Sequence, residues 1–176
     1  MKQLTPSVSN VDHIFGNSTA AIELVEYGDY ECPHCGRAYP IVKEIKRQLG
    51  KDLKFVFRNF PLSKIHPNAF NAAVATEAAD LQGKFWEMHD IIFENQRALD
   101  IESILSYASG AGMDMDRFRK DIGQESLAEK VEHDFESGLR SGVNATPTFF
   151  INGKKYEGGW SGDKLIEYLK EILIEA

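Results

Sequence analysis

A chain of 176 residues, 43% hydrophobic and 27% charged, has the length and composition of one globular domain, or a small domain carrying an insertion. Its formal net charge is −7, and no run of Lys or Arg is long enough to follow a phosphate backbone, which argues against nucleic acid as the main partner. No stretch approaches the ~18 consecutive apolar residues of a membrane-spanning helix, so no membrane insertion is expected. Residues 1–20 carry one lysine and no apolar core, and so do not read as a secretory signal. The expected location is the cytoplasm, or the periplasm if a leader has been removed.

Taken in chain order, Ala20–Tyr27 (AAIELVEY) alternates and then runs apolar, which predicts a strand bound for a sheet interior. Beyond the cysteines, Ala38, Ile41, Val42, Ile45 and Leu49 recur at helical spacing, with Gly50 as the stop. Pro40 lies inside that helix and is expected to kink it. Leu53–Phe60 (LKFVFRNF) is a second strand, completing a βαβ unit with a right-handed crossover. From Pro67 to Ser141 the pattern turns helical and Ala-rich. Helices are predicted over Asn68–Leu81, Lys84–Asn95, Ile101–Ser109, Asp114–Ile122 and Ser126–Ser141, with apolar surface from Phe85, Trp86, Met88, Ile91, Ile92 and Phe93. Strand character returns at Thr148–Ile151 and Lys154–Tyr156 around the turn Asn152-Gly153, a strong hairpin signal. Ser161 can cap a last helix with Leu165, Ile166, Leu169, Ile172 and Leu173 on its apolar face.

Between the first strand and first helix stands Cys32-Pro33-His34-Cys35. The thiolate is the nucleophile of disulfide exchange, so one cysteine must ionise near neutral pH. A helix N-terminus offers unpaired N–H groups and a positive dipole end. Cys32 belongs there, partly exposed, with Cys35 one turn further on and more buried. Pro33 suits the first turn, where its missing N–H costs nothing. The dipole contributes only about 0.3–1 kcal/mol, so a strongly acidic thiol needs further donors, and His34 is the expected one. Such a histidine inclines the pair towards donating disulfides.

Rival readings of the pair lack residues. Structural zinc wants four ligands, and one cysteine pair would need His34, His66 or His89 to converge with it. Covalent haem needs a histidine directly after the second cysteine, where Gly36 stands. A structural bridge across so short a loop would constrain the unfolded chain little. No cofactor and no metal are therefore expected. Thr146-Pro147 precedes a strand, where proline is tolerated for its missing N–H; alternatively a cis bond there exposes the Thr146 backbone to an extended substrate. Glu26 either points outward at a sheet edge or lies buried beneath the cysteines with a raised pKa, moving the Cys35 proton. His66 and His89 read as packing or capping residues, and Trp160 as an aromatic closing the fold.

The βαβ–helical block–ββα outline is that of an α/β, thioredoxin-like fold with an all-helical insertion, dividing the chain into 1–61, 62–141 and 142–176. The segments EYGDYECPHC, the Pro40 helix, FVFRNFPL, HPNAFNAAVATEAA, KFWEMHDIIFENQ and GVNATPTFFING resemble the DsbA-like branch of the thioredoxin superfamily over nearly the whole chain. The CPHC motif and the TPT…NG segment are the specific parts of that match. The resemblance implies disulfide exchange with protein or peptide thiols, served by an unidentified redox partner. By position, Cys32 is similar to the family's nucleophilic cysteine and Cys35 to its resolving cysteine. His34 corresponds to the residue tuning the thiolate, Glu26 to the buried acid, and Thr146-Pro147 to the cis-proline pair lining the substrate groove, which Pro33 borders. The family's best-known members are exported oxidants, whereas this chain shows no export signal. Three readings stay open: a disulfide donor, a cytosolic reductase or small-molecule thiol enzyme, and a non-catalytic peptide-binding module.

Overall fold

Two apolar strands lying parallel with a helix between them set the centre of the molecule. A computed structural model describes all of Met1–Ala176. In chain order the elements are β1 (His13–Gly16), β2 (Ile22–Gly28), α1 (Pro33–Leu49), β3 (Leu53–Asn59), α2 (Ala69–Asp80), α3 (Phe85–Glu94), α4 (Ile101–Gly110), α5 (Met115–Asp121), α6 (Glu125–Arg140), β4 (Thr148–Ile151), β5 (Lys154–Lys155) and α7 (Lys164–Glu175). The sheet order is β1-β3-β2-β4-β5. β2 and β3 run parallel from Ile22↔Leu53 to Gly28↔Asn59. β4 lies antiparallel on the other side of β2, so both neighbours of β2 are strands. The expected α/β fold, with helices α2–α6 between its two halves, is the one observed.

Two local features differ from the sequence reading, an added strand and the start of the last helix. β1 is an added edge strand, antiparallel to β3. Its four residues are too few to show a period, and pairing with β3 alone makes them a strand. α1 is helical through Pro40, which lies on its exposed side, as expected of a proline inside this helix. The last helix begins at Lys164 with Asp163 at its N-cap and no side-chain cap. Ser161 contributes only its carbonyl, which accepts from Lys164 N at 3.4 Å.

Alternation along the strands gives the sheet two different faces. Ile22, Leu24, Phe55, Phe57, Phe149 and Ile151 enter the larger core with α1, α7 and the helical block. Val25, Tyr27, Val56 and Phe150 point the other way and meet Leu4, Phe60 and Val143. Glu26 falls in the same row as Ile22 and Leu24, so the period of two aims it into the larger core. α2 is apolar nearly all round, with Ala69, Ala72, Ala73, Ala75, Ala78 and Ala79 buried, as a helix enclosed on several sides must be. No helix is long and apolar enough to cross a membrane.

Arg58 ties the N-terminal segment to the sheet. Its guanidinium donates to Asp12 at 2.8 and 3.0 Å, to the Pro6 carbonyl at 3.0 Å and to Tyr27 Oη at 2.9 Å, and both charged side chains are almost wholly buried. Removing one partner of a buried ion pair strands the other. Arg58→Met is expected to cost about 3–5 kcal/mol in urea denaturation, and a loss below ~1 kcal/mol would show that Asp12 finds other partners.

Candidate active site

The sheet hands its central strand to α1 across one tight turn. Gly28 ends β2 where a Cβ would stand 2.5 Å from the Phe57 ring and 3.2 Å from Glu26 Oε1, leaving no room for a side chain. Asp29, Tyr30 and Glu31 turn the chain; Cys32 is the N-cap in extended conformation and Pro33 opens the helix. Cys35 lies on the buried side of α1's first turn. The sulfurs are unbonded, the dithiol form. Pairing of Tyr27 with Thr148 brings the chain before β4 alongside the turn after β2. The Thr146–Pro147 peptide there is cis, and the Cys32 thiol donates to the Thr146 carbonyl at 3.7 Å. Cys32 is more enclosed than a helix start implies, only 4% exposed, because this loop covers it.

The two thiols have opposite environments. Cys32 is drawn down to about 5. Hydrogen bonding from Cys35 is the largest cause; Thr146 and the amides of Cys35 and His34 add to it, against a burial cost. Cys35 is pushed well above the ordinary thiol value, first by burial, then by donating to Cys32 and by the nearby Glu26 charge. Burial likewise raises Glu26 to about 8, with Lys46 opposing and Cys32 reinforcing the shift. Glu26 Oε1 has no hydrogen-bond partner.

The other expected residues fall in several places. His34 is exposed and its ring Nδ1 accepts from Arg37; it reaches the Cys32 sulfur through its amide. Pro33 is exposed beside it, and Pro147 is half-buried. His89 is buried among Tyr30, Phe57 and Phe93, with its Nδ1 2.8 Å from Tyr30 Oη. His66 does more than fill space: its Nδ1 donates to Asp29 Oδ2 at 2.7 Å.

Asp29 escaped the sequence reading. Its buried carboxylate accepts from Glu31 N at 2.8 Å and Cys32 N at 3.2 Å on one oxygen, and from Leu62 N at 2.9 Å on the other. Its own amide donates to Cys35 Sγ at 3.4 Å. An Asp accepting from amides two and three residues on is the local signal that marks such a turn. Gln96, from the loop between α3 and α4, donates to the carbonyls of Tyr30 and Cys32 at 2.9 Å each. Nothing local in the sequence announces it.

A family model described as thioredoxin matches residues 9–171. Among curated relatives, the Na(+)/H(+) antiporter NhaA 1 of Mycolicibacterium vanbaalenii is 42% identical over 172 residues, 97% of this chain and 28% of that protein. The Na(+)/H(+) antiporter NhaA of Herminiimonas arsenicoxydans is 40% identical over 158 residues, 89% of this chain and 25% of that protein. The chain thus spans about a quarter of the length of these relatives. Among solved structures, oxidised BdbD from Bacillus subtilis superposes with a TM-score of 0.82 at 24% identity, covering 98% of this chain and 99% of that one. The alpha-DsbA2 thiol-disulfide exchange protein of Wolbachia pipientis gives 0.82 at 20% identity, covering 96% and 89%. A thioredoxin-like oxidoreductase from Silicibacter pomeroyi gives 0.83 at 21% identity, covering 96% and 95%. At these identities the structures share the fold.

Two measurements follow from the proton balance. The rate of Cys32 alkylation by iodoacetamide is expected to titrate with a midpoint near 5; a midpoint near that of a free thiol would remove the donors their role. Glu26 keeps its proton in the folded state up to about 8 but loses it near 4.5 when unfolded. Between those values the native state binds more protons, so the Glu26 contribution makes stability fall as pH rises. Glu26→Gln is therefore expected to gain on the wild type across that window, by at most ~1.4 kcal/mol per pH unit. Parallel stability curves in urea would place the carboxyl in water.

Proposed function

We propose that this chain, which belongs to the thioredoxin family, is a thiol–disulfide oxidoreductase acting on protein or peptide thiols through Cys32 and Cys35. The observation that carries this reading is the opposed protonation of two cysteines on one helical turn, Cys32 drawn to about 5 and Cys35 held well above an ordinary thiol. In the oxidising direction a client thiolate attacks Cys32 Sγ of the Cys32–Cys35 disulfide. The bond between the cysteines breaks, and Cys35 leaves and takes up a proton. A second client thiol, losing its proton, attacks the client sulfur of the mixed disulfide and expels Cys32 as thiolate. The client is oxidised by two electrons and the pair is reduced by two. In reverse, Cys32 thiolate attacks a client disulfide, and Cys35, losing its proton, attacks Cys32 Sγ to free the client.

Each neighbouring residue has a part in this cycle. A buried carboxyl that titrates at about 8 and is coupled to both cysteines suits Glu26 to exchange the Cys35 proton. Thr146 offers its carbonyl beside Cys32 Sγ, where an extended client can pair with it, and Pro147, Pro33 and His34 border the approach. The depressed Cys32 value supports the donor reading. At pH 7 a thiol titrating at about 5 stabilises the dithiol by about 3 kcal/mol, which raises the reduction potential by roughly 60 mV.

Cys32→Ser is expected to abolish both insulin reduction and dithiol oxidation. Cys35→Ser is expected to accumulate mixed disulfides with clients, visible on non-reducing gels. Full turnover by Cys32→Ser would refute the assignment. Client binding that persists without turnover when both cysteines are alanine would replace it with a peptide-binding role.

A further inference from the structure

Cys32 is held by its backbone from two sides. Its N–H lies 3.2 Å from Asp29 Oδ1, on the sheet side. Its carbonyl, which receives the first helical bond from Gly36 N at 3.0 Å, also accepts from Gln96 Nε2 at 2.9 Å. The second N–H of the same amide goes to the Tyr30 carbonyl, again at 2.9 Å. One side chain from the helical block thus spans both carbonyls of the turn that presents the nucleophile.

A second, independent feature surrounds this contact. Gly36 sits inside α1, outside the set of glycines with positive φ. A Cβ built on it would overlap Gln96 Oε1 and stand 2.7 Å from Gln96 Cδ. Glycine is therefore required at this position to admit the Gln96 amide, and not for its conformational freedom. Cys32 makes no side-chain cap at the start of α1, so its position there is set by its backbone hydrogen bonds, the Gln96 contact among them.

We propose that Gln96 is a positioning residue for the resolving step, seated against Gly36 and working opposite Asp29 to hold Cys32 where Cys35 can reach it. The inference rests on the disulfide-exchange reading. Its physical basis is a difference between the two steps. Attack by Cys32 on a substrate disulfide is bimolecular and follows the thiolate's ionisation and access. Attack by Cys35 on the mixed disulfide is intramolecular, and its advantage comes from a fixed geometry between the two sulfurs. Loosening the turn therefore penalises the second step far more than the first.

The test uses the full chain, reduced, mixed with glutathione disulfide, with acid quenching and mass spectrometry to follow the glutathionylated species. Gln96→Ala is expected to lengthen the life of the mixed disulfide by about tenfold or more, while iodoacetamide alkylation of Cys32 at pH 8, well above its midpoint of about 5, changes less than about threefold. Gly36→Ala reaches the same contact from the other side, because its new Cβ displaces the amide. It is expected to reproduce the effect, and the double variant to be no slower than either single one. Unchanged mixed-disulfide lifetimes overturn the proposal, as do additive effects or a parallel loss in both steps. Should the wild type neither form a mixed disulfide nor become oxidised by glutathione disulfide, the disulfide-exchange reading itself fails, a result distinct from these.

Discussion

A sulfur at the open end of a helix, ringed by hydrogen-bond donors while its partner one turn away is kept protonated by burial, is the constraint on which the rest of this structure depends. Cys32 receives Cys35, Thr146 and two amides; Cys35 receives the Asp29 amide, but burial and a nearby acid outweigh it. Those conditions need elements distant in the chain. The central strand β2 leads into α1, the antiparallel β4 brings Thr146 against the sulfur, and the helical block closes the remaining side.

The same arrangement explains why the molecule tolerates buried charge. Glu26 and Lys46 lie in the larger core side of the structure, and burial displaces both from their ordinary values, to about 8 in each case. Lys46 rests over the rings of Phe15, Phe55 and Trp86, which offset part of its lost hydration. A fold selected for stability alone would fill the Glu26 position with an aliphatic side chain.

Where the helical block meets the sheet, the join is polar and specific. His13 Nε2 lies 2.9 Å from Glu77, Asn59 Nδ2 donates to Glu77 at 3.2 Å, and the Asn59 amide donates to Asp134 at 3.0 Å. Hydrogen bonds of this kind fix orientation in a way that apolar packing does not. The block is thereby held at the angle that lets Gln96 reach the Cys32 carbonyl.

Local rules made much of this legible in advance. Two cysteines at i and i+3 before an amphipathic helix, alternation along β2 and β3, an Asn-Gly turn and Thr146-Pro147 are contiguous patterns, and they determined the element order and singled out the cysteine pair. The alternation could place Glu26 on one face of a strand, but not decide whether that face was open or covered. That depended on β2 becoming central, between β3 and β4. Only tertiary structure made β1 a strand, enclosed Cys32 under the Thr146 loop and brought Gln96 onto a carbonyl 64 residues away. Periodicity records which residues a helix or strand turns inward. Contacts between segments far apart in sequence arise from how those faces are stacked, and no stretch of neighbouring residues contains that information.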